Sequence, residues 1–168
     1  MANMGLKVPE IDMNTSHPWK LRIFIDTEFT DLTAPRLISL AMVSEDGAEF
    51  YGELADFDRK ACSEFSQAIV LPQLGQFPEQ IMEWDRLREA AQRWMSQFTH
   101  LKKKPVICYD YPLDVTLLFD LLGAKPARWQ LLNVAGRIDP AKREQYFHEH
   151  GGRHHALYDA RANRAAYG

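Results

Sequence analysis

Asp26 and Glu28 stand two residues apart at the end of an apolar run, Lys20-Leu-Arg-Ile-Phe-Ile-Asp-Thr-Glu-Phe29. In an extended strand both side chains leave the same face, about 6 to 7 Å apart along the chain. Two carboxylates held that close in an apolar setting repel one another and lose solvation, so a pKa rises unless a cation intervenes. Divalent Mg²⁺ or Mn²⁺, which prefer hard oxygen ligands, suit such a pair. More acids follow in Tyr109-Asp110-Tyr111-Pro112-Leu113-Asp114, and a third group closes the chain in Gly151-Gly-Arg-His-His-Ala-Leu-Tyr-Asp159. There a glycine-rich loop delivers His154 and His155 ahead of an aspartate in a final helix. A helix start between His154 and Asp159 brings a loop imidazole near the helix carboxylate while keeping it off a metal, the placement a general base needs.

Each residue also has a plainer explanation. Acids at a strand end are usually solvated, and Asp114 at the start of an apolar helix complements the helix dipole. Phe29 fits core packing as well as it fits stacking on a base. Lys102, Lys103 and Lys104 read as a solvated helix end, and Arg153 as either a phosphate contact or a loop arginine facing water.

The elements that must position these groups follow from local patterning. Ile23 to Ile25 reads as a first strand, Leu37 to Val43 as a second and Glu49 to Leu54 as a third. Asp46-Gly47 is a hairpin signal, so the three form an antiparallel meander. Ala61 to Pro78 has no clear period. Trp84, Leu87, Ala91, Trp94, Met95 and Phe98 recur at helical spacing within a helix over 81–98. Pro105 to Tyr109 is a buried fourth strand leading into a helix over 113–122, ended by Gly123. Trp129 to Val134 gives a fifth strand, Pro140 to Phe147 a short helix capped by Asp139, and Leu157 to Tyr167 a last helix. The expected fold is α/β, with a mixed five-stranded sheet flanked by helices. A chain of 168 residues, 46% hydrophobic, supports one buried core, so 20–168 is expected to be one domain preceded by an arm over 1–19.

Bulk properties exclude several classes. A formal net charge of −3 does not fit a long phosphate footprint, so any phosphate partner is held locally. Cys62 and Cys108 are far apart, which argues against a disulfide framework and a thiolate zinc site. No segment reaches the ~20 apolar residues of a membrane span. A soluble, reducing, cytoplasmic setting without a membrane partner is expected. A rival reading gathers His148, His150, His154 and His155 into a zinc site, but their spacing matches no familiar zinc signature and leaves Asp26, Glu28 and Asp114 unexplained. A catalytically silent nucleic-acid-binding module is a second rival, set against the intact carboxylates.

Taken in order, the pattern is Asp26-Thr-Glu28 on the first strand, Asp114 at a later strand-to-helix turn, then His154 and Asp159 near the C-terminus. With these motifs the chain resembles the DEDDh branch of the DEDD superfamily of 3′–5′ exonucleases, ribonuclease T-like and of ribonuclease-H-like fold, over roughly Lys20 to Tyr167. Arg36-Leu-Ile-Ser-Leu-Ala-Met-Val-Ser-Glu-Asp-Gly47 is similar to a small group of bacterial and phage exoribonucleases. In the tyrosine branch the base lies four residues before the last aspartate, a position held here by His155, so the resemblance selects His154. Pro112-Leu113 departs from the aromatic residue usual before the second-motif aspartate.

The resemblance implies hydrolysis from the 3′ end of single-stranded nucleic acid, RNA favoured over DNA, with two Mg²⁺ or Mn²⁺ ions roughly 3.5 to 4 Å apart. Four carboxylates, Asp26, Glu28, Asp114 and Asp159, would match the charge of two divalent ions. Asp26 would bridge both ions, Glu28 and Asp159 would complete the nucleophile side, Asp114 would serve the leaving-group side, and His154 would be the general base. Backbone amides near Thr27 to Phe29 would hold the terminal 3′-hydroxyl and Phe29 would stack on the terminal base. Asp110, where many relatives carry Asn, and Arg153 complete the implied substrate contacts. Relatives with short chains often dimerise, which leaves a homodimer as an expectation.

Overall fold

The computed structural model describes residues 19–168, so the expected N-terminal arm lies outside the described residues except for Trp19. The β-branched and aromatic run at the start forms β1 (Lys20–Phe29), followed by β2 (Leu37–Ser44) and β3 (Glu49–Leu54). β1 pairs antiparallel with β2, and β2 antiparallel with β3. The Asp46-Gly47 turn forms as expected: Gly47 has φ +102°, a conformation that glycine adopts without steric cost, and its N–H donates to the Ser44 carbonyl at 3.0 Å. The meander therefore holds.

One expectation is corrected: the sheet has six strands, in the order β4-β3-β2-β1-β5-β6. The additional strand, β4, is only Ile81–Met82, paired parallel with Glu53 and Leu54. Two residues are too few to show an alternation, and their apolar side chains extend the stripe of the helix that follows. That helix, α1 (Trp84–Ser96), begins later than expected because Glu83 is extended (φ −72°, ψ 162°) and stands as its cap.

The crossover expected after the fourth apolar strand is present. β5 (Lys104–Tyr109) pairs parallel with β1 and feeds α2 (Pro112–Leu122), which stops at Gly123 in the left-handed region (φ +82°). β6 (Gln130–Asn133) pairs parallel with β5 as an edge strand. α3 (Pro140–His150) starts at Asp139, whose carboxylate accepts from the N–H groups of Ala141 and Lys142, and runs one turn past Phe147 to Gly151. α4 (Ala156–Ala166) closes the chain.

Strand alternation sorts the side chains into two layers. Leu21, Ile23 and Ile25 of β1 join Leu40, Met42 and Phe50 against Leu87, Ala91 and Met95 of α1 and Leu117, Leu118 and Leu121 of α2. Ala41, Val43 and Tyr51 face Ala156, Leu157 and Ala160 of α4 on the other side. Phe24 also leaves that second face, packed with Val106, Cys108 and Val134. By the same period Asp26 and Glu28 emerge on the α4 side of the sheet, at the C-terminal end of β1. Ligand sites of open α/β sheets lie outside such carboxyl ends.

Candidate active site

Four elements converge at the carboxyl ends of β1 and β5. β1 supplies Asp26 and Glu28, the β5–α2 turn with the first turn of α2 supplies Asp110 and Asp114, and the α3–α4 loop with the first turn of α4 supplies His154 and Asp159. Two carboxylate triads result, Asp26-Glu28-Asp159 and Asp26-Asp110-Asp114, and within each the ligand oxygens lie within 4.8 Å of one another. Asp26 belongs to both.

Two of these acids are held by one oxygen and open at the other. Asp114 Oδ1 accepts from the Thr27 N–H at 3.1 Å and the Thr27 hydroxyl at 2.6 Å, while its Oδ2 is buried without a partner. Asp159 Oδ2 accepts the backbone N–H of His154 at 3.0 Å, while its Oδ1 is likewise buried and unpartnered. Buried polar atoms without partners are costly and rare in native proteins. Two such oxygens beside two more acids fit a divalent cation's demand for hard ligands.

Electrostatics agree with that fit. Burial foremost, then Asp114, Asp159, Glu28 and Asp110, holds the Asp26 carboxyl well above the usual carboxylate range. Burial and then Asp159 and Asp114 push Glu28 up to about 8. Burial is also the main cause that raises Asp114 and Asp159 to about 7, against the hydrogen bonds from Thr27 and the Arg143 charge respectively. Raised folded-state values mean that the folded protein binds more protons than the unfolded chain between about pH 4 and pH 8, so these groups cost stability as pH rises through that window. Chelator-treated protein is therefore expected to melt several degrees lower at pH 8 than at pH 5.5, and added Mn²⁺ should largely remove the difference. Equal melting temperatures at the two pH values without metal would contradict the reading.

The two histidines separate cleanly. His155 is 1% exposed, stacked on Tyr51 with ring centres 4.8 Å apart and edged by Phe77 and Tyr158. Burial pushes its pKa down to about 4, so it is a neutral core residue. His154 is half-buried, in the left-handed region (φ +63°), with its ring edge-on to Phe65 at 5.1 Å. Burial, then Arg153 and Arg143, lowers its pKa, which keeps the imidazole free to accept a proton near neutrality. Gln73 Nε2 tethers the loop by donating to the carbonyls of Arg153 at 2.6 Å and His154 at 3.3 Å.

Gly152 is needed for that loop. It has φ +78°, and a Cβ there would run into the ring of Tyr158. Gly152→Ala is expected to lower activity by roughly tenfold or more through displaced His154, because misplacements of the order of an ångström cost that much. A variant as active as wild type would show that the loop does not set the site.

The remaining sequence candidates fall as follows. Phe29 stacks on Tyr111 (6.4 Å, 19°) and lines a cleft of about 340 Å³ with Glu28, Leu32, Phe65 and Val70, beside the acids. The Thr27 N–H is already engaged by Asp114. Arg153 pairs with Glu144 at 2.6 Å and lies over the Phe147 ring. Asp110 joins the acids themselves and is gripped by Asn163 and Arg143. The histidines of the zinc alternative do not gather: neither metal-competent triad among the described residues contains one, and His150 packs on Tyr146 in α3. Sequence patterning misses Asn163, Arg143, Phe65 and Gln73. Asn163 lies one turn after Asp159 on α4 and so had a spacing signal; Phe65 and Gln73 come from the stretch without a period.

No protein-family model and no curated protein sequence matches the chain. Solved structures do. The nuclease domain of 3′hExo, a DEDDh family member bound to rAMP, is similar with a TM-score of 0.62 and 14% identity, over 89% of this chain and 90% of that one. The zinc-bound E. coli ExoI–ssDNA complex is similar at 0.56 and 16% identity, over 87% of this chain and 39% of that one. Cell-death related nuclease 4 (CRN-4) gives 0.53 and 14% identity, over 88% and 62%. The chain has the ribonuclease-H-like fold of the DEDDh exonucleases. This fold accounts for the sheet: an antiparallel meander carries two acids on its first strand, β1, and the parallel crossover through β5 brings a third acid to the same end. The chain spans about two fifths of the E. coli exonuclease chain and about three fifths of the CRN-4 chain.

Proposed function

We propose that the protein is a DEDDh 3′–5′ exonuclease that hydrolyses phosphodiester bonds from the 3′ end of single-stranded nucleic acid, with two Mg²⁺ or Mn²⁺ ions. The observation that carries this reading is the pair of carboxylate triads sharing Asp26, beside a half-exposed His154 anchored on Asp159. Asp26, Glu28 and Asp159 would hold one ion, and Asp26 with Asp114 the other. Bound there, divalent ions supply a water of lowered pKa and neutralise charge on the scissile phosphate and the departing 3′-oxygen.

The chain's own residues do the rest. His154 takes the proton of the attacking water, its ring half-buried and packed edge-on against Phe65 beside the loop that Asp159 anchors. Asp159 fixes the loop that carries His154 through the backbone N–H. Thr27 locks Asp114 in one rotamer, leaving Oδ2 free for the site. Phe29, backed by Tyr111, offers an aromatic face to the terminal base in the cleft it shares with Leu32 and Phe65, worth about 1 to 3 kcal/mol per base.

RNA is the favoured substrate. The family resemblance and the ribonucleotide in the 3′hExo structure support it, whereas the E. coli relative of the fold was solved with single-stranded DNA. RNA and DNA of one sequence, single-stranded and duplex and labelled at either end, decide the matter. The expected result is immediate release of 3′ label, a shortening ladder from 5′ label, and faster decay of RNA single strands. Internal cuts without a ladder would exclude the exonuclease reading, and faster decay of DNA would reverse the substrate preference.

A further inference from the structure

We propose that Asp110 is a fifth metal-ligating carboxylate, on the Asp114 side of the centre, and that Asn163 and Arg143 hold it in place. This rests on the two-ion reading above and goes beyond it, since four carboxylates suffice there. Asp110 offers an oxygen within 4.8 Å of the ligand oxygens of Asp26 and Asp114. Asp114, 2% exposed, has its Oδ2 buried and unpartnered in the same triad, so this half of the centre contains an acceptor with an unmet demand.

The clasp on Asp110 comes from two separate helices. Asn163 of α4 donates from Nδ2 to Oδ1 at 2.9 Å, and Arg143 of α3 places Nη1 3.2 Å from Oδ2. A carboxylate has about four lone-pair sites, so each oxygen keeps one for a cation after meeting its partner. Such outer partners fix the orientation of metal ligands. Charge is consistent as well. Asp110 brings the carboxylates to five, and the partly buried Arg143 returns the cluster to four negative charges, which two divalent ions neutralise. A structural tie between α3 and the β5–α2 turn would need neither the third acid of the triad nor a second clasp from α4.

Mn²⁺ titration of the chelator-treated full chain, read by calorimetry and by the spin-resonance signal of free Mn²⁺, tests the assignment. Wild type is expected to bind two ions. Asp110→Asn, which keeps an acceptor for Asn163, should weaken one ion by roughly tenfold or more and leave the other nearly unchanged. Loss of charge alone would weaken both. Asn163→Ala keeps the carboxylate and frees its Oδ1; it should weaken the same single ion by about tenfold, and it decides the question if Asp110→Asn folds poorly. Wild-type affinity for both ions in these variants overturns the role of Asp110 and leaves the two-ion reading standing. Fewer than two ions in wild type overturns both.

Discussion

Asp26→Asn is expected to reduce hydrolysis by about a thousandfold or more and, in the same protein, to raise the melting temperature of the metal-free state. The first effect follows from position. Asp26 is the only residue common to both carboxylate triads among the described residues, so its neutralisation weakens both ion sites together. Loss of several kcal/mol of charge stabilisation in the transition state corresponds to a factor of that size. The second effect has the opposite sign because the wild-type carboxyl is held above its ordinary range by burial and by its acidic neighbours. Asn has nearly the same shape and no charge to desolvate. The substitution therefore removes a cost that folding imposes on the carboxylate, and a higher melting temperature than wild type is expected at neutral and alkaline pH. A structural aspartate would behave differently, with stability falling and activity following it down. Calorimetry in chelator, set beside turnover in Mn²⁺, separates the two cases.

His154→Ala is expected to slow turnover by about 10² to 10⁴, the usual contribution of a placed general base, while Mn²⁺ affinity stays within a few-fold of wild type. The backbone N–H of His154, not its ring, anchors Asp159, and the substitution keeps that N–H. His155→Ala should act elsewhere. It removes a ring packed against Tyr51, Phe77 and Tyr158, leaves a cavity, and lowers stability by about 2 to 5 kcal/mol. If His154→Ala lost metal and kept turnover, His154 would be a ligand.

Much of this site could be read from spacing alone. The two-residue separation of Asp26 and Glu28 is the strand period, and β1 does place them on one face, opposite Ile23 and Ile25. Asp114 stood out as an acid at the head of an apolar helix, and its buried oxygen is a tertiary fact that no local pattern contains. β2 is covered on both faces and so shows no alternation; its aliphatic run and the Asp46-Gly47 turn mark it as a strand. β4 was invisible, since two residues carry no period. Asp110 had a sequence signal as an acid near Asp114; its clasp by Arg143 and Asn163 depends on how α3 and α4 cross the sheet. Phe65 and Gln73 reach the His154 loop from a stretch of short irregular turns, where sequence separations of about 80 to 90 residues hide the contacts.

The most direct test of the centre is metal add-back on a single strand. Chelator-treated protein is mixed with 5′-labelled single-stranded RNA, and Mn²⁺ or Mg²⁺ is then added while products are resolved by length over time. The expected result is an intact strand before addition and a ladder shortening by one nucleotide at a time after it. A strand that stays intact with metal, or that is cut equally well in chelator, would contradict a two-ion exonuclease centre built on Asp26.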